Sequence, residues 1–371
     1  MLQGYATQKA FQKYLENPSD CVLINYRYQS PTDSSSLSLL QLRLKRIFHY
    51  IGNYRKYLTL SEYSSKLSQK ACKFDEFRNK YTIVTDTFYR NKRQLQNDPP
   101  DFEVYVTGSD QTWSPIVSGG YGETPMFLDF AKKGAIKCAY APSLGTASLN
   151  KADKQVLQDH IKDFEIISCR ENSGVKLLNQ ITNKTIHKVL DPTLLLSGDE
   201  WREISINPIK DNSPYILCYF IGDQDYYRNF ANKLGLELNL PVYYIPVSWK
   251  DCKHENKLLF DVGPLEFIGL IDNAKVVLTD SFHGTAFSSN LETPFYSFLK
   301  HSGGAKAADN SRIYDYLFSI GLENRLIENY HGDHLAFSEI DFSQVMTNLQ
   351  KQRENSLAVV KEIASLANRK C

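Results

Sequence analysis

Apolar, β-rich runs alternate with stretches of helical periodicity almost from end to end of the 371-residue chain. The runs Cys21–Tyr26, Glu103–Thr107, Ile136–Tyr140, Ile166–Cys169, Ile186–Leu190, Tyr215–Phe220, Val242–Ile245, Lys275–Thr279 and Pro294–Phe298 are short, continuous and bounded by Pro, Gly, Asn or Asp. That pattern predicts strands covered on both faces. Between them, Lys151–Asp163, Ser173–Gln180, Tyr226–Leu238, Leu265–Asn273, Thr285–Leu291 and Ser311–Ile320 read as helices, as does Phe342–Lys370 near the end. Such alternation predicts an α/β protein with parallel sheets and helices on both faces. Turn formers gather over 191–214, in Asp191-Pro192, Ser197-Gly198-Asp199 and Pro208–Pro214. This seam predicts an N-terminal domain over 1–195 with a helical insertion at about 37–95, and a C-terminal domain over 213–335. A helix within 336–371 is then expected to cross back over the first domain. Met1–Leu15 already reads as helix. A doubly wound domain opens with a strand, so the first N-terminal strand is expected to be missing, or supplied from elsewhere in the chain.

Composition narrows the function. With 43 basic and 42 acidic residues the net charge is +1, which supplies no general field for nucleic acid. No apolar run approaches the roughly 18 to 20 residues that span a bilayer, and no signal peptide opens the sequence. The seven cysteines are scattered, odd in number and form no C-x-x-C pair, so reduced thiols in a cytoplasmic protein are expected. Cys and His show no zinc spacing, and no metal is expected. The stretch 41–60 alternates basic residues (Lys45, Arg46, Arg55, Lys56) with aromatic and aliphatic ones. It fits a peripheral contact with the inner face of a membrane, or a helical hairpin with a solvated basic face.

The densest chemistry lies in Lys275–Phe287, a strand that breaks into a turn holding Thr279, Asp280, Ser281, His283 and Gly284 before a helix expected near Thr285. Glycine relieves the turn, and a helix N-terminus readily holds an anion at the carboxyl end of a strand. A titratable His there points to chemistry on a phosphorylated or carboxylated molecule, or to a His that only caps the helix.

Five segments, in order, resemble the polysaccharide pyruvyl transferase family. They are Gly108-Ser-Asp-Gln-Thr-Trp113, Ala139-Tyr-Ala-Pro-Ser-Leu-Gly145, Ile167-Ser-Cys-Arg-Glu-Asn-Ser173, Asp191-Pro-Thr-Leu-Leu-Leu196 followed by Glu200-Trp201, and Thr279-Asp-Ser-Phe-His-Gly284. The resemblance covers Leu2 to about Leu326. It implies two Rossmann-like domains facing a cleft, as in the GT-B glycosyltransferases. It also implies transfer of the pyruvyl group of phosphoenolpyruvate onto a sugar of a cell-surface polysaccharide or its lipid-linked precursor, forming a ketal. Two departures stand out. Many members carry Arg-Leu-His where this chain has Ser281-Phe282-His283, and members begin with a strand and an Asn-Tyr-Gly turn before the segment matching Leu2-Gln-Gly-Tyr-Ala6.

Phosphoenolpyruvate carries nearly three negative charges, so cations or oriented N–H groups must hold it. No cofactor is expected beside this donor substrate. His283 and Asp110 are the expected acid–base groups. Arg170, after the strand Ile166–Cys169, is the expected donor clamp in a solvent-filled cleft, with a structural ion pair as the alternative. Ser109, Ser143, Ser281, Gly284 and Thr285 are expected to bind substrate, Trp113 to stack on a sugar or pack under its loop, and Arg312 to supply a second cation. Asp280 is expected to cap the following helix. Competing readings are a GT-B glycosyltransferase using a nucleotide sugar and a non-catalytic scaffold in polysaccharide assembly.

Overall fold

The computed structural model describes residues 1–26, 64–115, 125–146, 148–211, 213–222, 224–247, 251, 257–300, 310–330, 332 and 337–368. The basic and aromatic stretch 41–60 lies outside them, as do 37–63 of the expected insertion.

Two parallel sheets form. In the first, β1 (Val104–Thr107), β2 (Ile136–Ala139), β3 (Phe164–Cys169) and β4 (Ile186–Lys188) lie side by side in chain order. The second contains β5 (Ile216–Tyr219), β6 (Val242–Tyr244), β7 (Lys257–Leu258), β8 (Val276–Thr279), β9 (Phe295–Phe298) and β10 (Leu326–Ile327). Their spatial order is β10-β9-β8-β5-β6-β7, with every pair parallel. The order reverses between β5 and β8, the kind of switch point where such sheets bind ligands. Both β8 and β9 are buried at all four positions, which is why they read as unbroken apolar runs.

In chain order the helices are α1 (Leu2–Gln12), α2 (Ser64–Tyr81), α3 (Lys92–Asn97), α4 (Lys151–Ile161), α5 (Asn172–Leu178) and α6 (Gly198–Arg202). They continue with α7 (Asp225–Leu238), α8 (Pro264–Asp272), α9 (Phe282–Asn290), α10 (Ser311–Ile320) and α11 (Phe342–Asn368). Local chemistry sets several boundaries. Asn150 caps α4 by accepting the Asp153 N–H at 2.8 Å, and Ser197 with Glu200 closes a capping box on α6. Helix α11 joins the two cores. Its Val345 and Leu349 pack with Phe287 and Tyr316, while its Val359, Val360 and Ile363 pack with Phe11, Tyr140 and Ile166. Arg353 of α11 donates to the Leu194 carbonyl and to Asn290 Oδ1, each at 2.8 Å.

Three expectations need correction. Cys21–Tyr26 makes only single parallel bridges, Leu23 to Val84 and Tyr26 to Tyr89. Helix α9 begins at Phe282, three residues earlier than expected, because Ser281 and not a later residue is its cap. The two-residue strands β7 and β10 went unread because two residues carry no periodicity.

Candidate active site

The carboxyl ends of the strands converge on one carboxylate. The turns after β1, β3 and β4 deliver Ser109, Arg170 and Asp191, and α1 delivers Gln3. Asp191 is buried, and its Oδ2 accepts from Arg170 Nη1 at 2.6 Å, Gln3 Nε2 at 2.8 Å and Ser109 Oγ at 3.0 Å. Its Oδ1 accepts from Thr193 N–H at 3.0 Å and Thr193 Oγ1 at 2.7 Å. His283 reaches in from the facing sheet, with Nε2 3.8 Å from Oδ2, close enough to feel the charge but outside hydrogen-bond reach. Burial pushes the Asp191 carboxyl up, yet His283, Arg170 and Thr193 together hold it well below the usual carboxylate range.

Arg170 is 4% exposed and its guanidinium lies over the Phe282 ring, 4.6 Å from the centroid. The solvent-filled cleft expected around it is absent. It forms the buried ion pair foreseen as the alternative, with Asp191 as the partner. Its Nη2 makes no hydrogen bond among the described residues and lies 3.7 Å from Asp110. Asp110 is half exposed and adopts φ +83°, a left-handed conformation that Asp tolerates better than most residues. Arg312, in the first turn of α10, stands 3.9 Å from the same carboxylate.

Two cavities meet at His283. The first, about 200 Å³, is lined by Asp110, Asp280, Ser281, His283, Lys300 and Arg312 among others. The N-terminus of α9 opens on it, adding the positive end of a helix dipole to the two cations. The second, about 240 Å³, is also lined by His283. Gln3, Lys70, Phe74, Tyr219 and Phe267 line it, and Tyr219 meets Phe267 edge to face at 5.1 Å. His283 therefore lines both a cavity holding two cations and two carboxylates and an aromatic one.

His283, Asp110, Ser281 and Arg312 thus share the first cavity, and Ser109 sits one layer behind it on Asp191. Four residues expected to contact a ligand bond or pack inside the protein. Trp113 is fully buried, stacked on Phe127 at 5.6 Å, with Nε1 donating to the Met126 carbonyl at 3.3 Å. Ser143 donates to Glu171 at 2.9 Å and is buried. Thr285 is buried, with its hydroxyl on the Ser281 carbonyl at 3.1 Å and 2.7 Å from Ser297 Oγ. Gly284 is required by packing: a Cβ there would sit 2.9 Å from Thr279 Cβ and closer still to its Oγ1. Gly284→Ala is therefore expected to cost about 1–3 kcal/mol in denaturant unfolding and to displace the α9 N-terminus. Wild-type stability in that variant would show that the turn has room to spare.

Asp280 is the other correction. It does not cap α9, since Ser281 Oγ accepts the Gly284 N–H at 3.4 Å. Asp280 instead accepts the Ile221 and Gly222 N–H groups, each at 2.6 Å, tying the turn after β5 to the turn after β8. Burial pushes its carboxyl up against the pull of those two bonds. Residue-level reading gave no role to Asp191, Gln3 or Lys300. Asp191 stands in a recognisable Asp-Pro segment, but only the folded chain shows what surrounds its carboxylate.

A family model for polysaccharide pyruvyl transferase matches residues 1–302. The chain belongs to the polysaccharide pyruvyl transferase family. It is accordingly a transferase, and its two parallel sheets fit the α/β class expected of it. Among solved structures it is similar to a putative UDP-N-acetylglucosamine 2-epimerase from Listeria monocytogenes. That likeness has a TM-score of 0.42 at 9% identity and covers 69% of this chain and 80% of that one. No curated protein matches the chain. None of its described helices is long and apolar enough to cross a membrane.

Proposed function

We propose that this pyruvyl transferase takes phosphoenolpyruvate beside Lys300 and Arg312 in the first cavity and a sugar of a surface glycan or its lipid-linked precursor in the aromatic one. The observation that carries the reading is that His283 lines both cavities. Lys300, Arg312 and the α9 N-terminus face the phosphate and carboxylate, in place of the arginine many relatives have at the Ser281 position. Tyr219, Phe267 and Phe74 offer ring faces to the apolar side of a sugar.

Protonated His283 gives its proton to the methylene carbon of the enol, creating an oxocarbenium-like centre at the adjacent carbon. A sugar hydroxyl attacks that centre and returns a proton to His283. The C–O bond to phosphate then breaks, a second hydroxyl closes the ketal, and its proton leaves with the phosphate. Asp110, strained and half exposed at the cavity rim, orients the incoming hydroxyl.

Phosphoenolpyruvate is expected to raise the melting temperature. A ligand at a hundredfold excess over its Kd contributes about 2.7 kcal/mol to the folded state. A shift with UDP- or GDP-sugars and none with phosphoenolpyruvate would replace this reading with a nucleotide-sugar glycosyltransferase. Phosphate release in the presence of an acceptor panel then separates a transferase from a scaffold.

A further inference from the structure

Helix α2, which precedes the first sheet in the chain, forms part of the lining of the aromatic cavity. Its inward face is laid down at helical spacing. Phe77 stacks on Tyr81 at 5.1 Å and meets Tyr5 edge to face at 5.6 Å. One turn earlier, Lys73 Nζ donates to the Asp261 carbonyl at 2.8 Å and reaches Glu266 Oε1 at 2.8 Å, which fastens α2 to the first turn of α8. Lys70 and Phe74 stand four residues apart, so they are neighbours on the helix surface, and both line the cavity.

The two lysines have different surroundings. Lys73 meets carboxylates, whereas Lys70 makes no hydrogen bond or ion pair among the described residues. No Asp or Glu is among the described residues that line this cavity. The first cavity, by contrast, sets Asp110 and Asp280 beside Lys300 and Arg312. Lys70 is half-buried, and burial alone pushes its ammonium down from the ordinary lysine value. Its charge is delivered by a helix that Lys73 holds in place, and it stands among the rings of Phe74, Tyr219 and Phe267.

A half-buried cation among aromatic rings favours a ligand that brings both an apolar face and a negative charge. We propose that Lys70 is a specificity-determining residue that selects an acceptor sugar carrying an anionic group, a carboxylate or a phosphate. This rests on the reading that the aromatic cavity takes the acceptor. A neutral sugar would cover the rings and leave the ammonium without a partner, whereas an anionic sugar would satisfy both. An ammonium acts as a compact point charge and suits either anion, while the planar fork of an arginine would match two oxygens at once.

The test is competitive acetylation of the 371-residue chain with acetic anhydride, read lysine by lysine by mass spectrometry. Glucose 1-phosphate, glucuronic acid and glucose are the probes for Lys70, and phosphoenolpyruvate is the probe for Lys300. At about ten times its Kd, an anionic sugar should slow acetylation of Lys70 about tenfold, while glucose leaves it unchanged. Slowing by glucose 1-phosphate alone would assign a phosphate, and slowing by glucuronic acid alone a carboxylate. In calorimetry Lys70→Met should lose the preference for the anionic sugar over glucose and Lys70→Arg should keep it, with phosphoenolpyruvate binding unchanged in both. Acetylation of Lys70 that neither anionic sugar slows, with Lys300 still protected by phosphoenolpyruvate, would overturn the proposal and leave the donor reading standing. Equal slowing by inorganic phosphate would reduce the site to a bare anion site and overturn the proposal as well. Protection of Lys70 in place of Lys300 by phosphoenolpyruvate would overturn both the proposal and the donor reading.

Discussion

Asp191→Asn is expected to be the most damaging single change in this protein. It would remove the charge opposite Arg170 while leaving that guanidinium 4% exposed beneath Phe282. Breaking one side of a buried ion pair typically costs about 3–5 kcal/mol, because the remaining charge cannot reach water. Gln3 and Ser109 lose their strongest acceptor in the same step, so α1 and the β1 turn loosen together. Urea unfolding of wild type and variant at neutral pH measures the loss. The pH dependence supplies an internal check. The folded-state carboxyl is depressed, so its stabilising contribution is fully present above the unfolded value of about 3.9 and disappears as pH falls below that. The gap between wild type and Asp191→Asn should therefore narrow below about pH 4. A variant as stable as wild type, or a gap that ignores acid, would remove Asp191 from the centre of the network. Arg170→Ala belongs to the same network, so its first effect should be on stability, whatever it does to donor affinity.

His283→Gln should do the opposite: lose turnover and keep the fold. The N-cap of α9 belongs to Ser281, and His283 makes no hydrogen bond through Nε2 among the described residues. Its contribution to stability runs through the Asp191 carboxylate, 3.8 Å from Nε2, and should be small beside that of Arg170. If the imidazole moves protons between the two cavities, phosphate release should fall about a hundred- to ten-thousandfold. Phosphoenolpyruvate affinity should change much less, since Lys300, Arg312 and the helix N-terminus remain. Single-turnover phosphate release, calorimetric donor binding and urea unfolding on one preparation separate the possibilities. Near-normal release with lowered stability would make His283 a structural residue and end the mechanism proposed above.

Much of the architecture was legible in the residues. Strands such as Val276–Thr279 and Phe295–Phe298 are buried on both faces, so their burial is written directly as unbroken apolar runs. Asn150 caps the helix that periodicity predicted at Lys151, whereas Ser197, read as a turn former, caps the short α6. The cavity-facing turn around Ser281 and His283 was legible too, because strand, polar turn and helix are contiguous in sequence.

Tertiary structure decided which polar residues reach a cavity and which bond inside the protein. Ser143, Trp113 and Arg170 lie in the segments that follow strands and Thr285 in the first turns of α9, yet each finds its partner inside the protein. Sequence position cannot show this, because a hydroxyl or guanidinium at a strand end faces either solvent or the neighbouring turn, depending on elements far along the chain. Gln3 and Asp191 are 188 positions apart, and the pairing of Arg353 with Asn290 spans 63. Short-range pattern records burial and local turns; the hub at Asp191 and the two cavities at His283 exist only where distant strand ends are brought together.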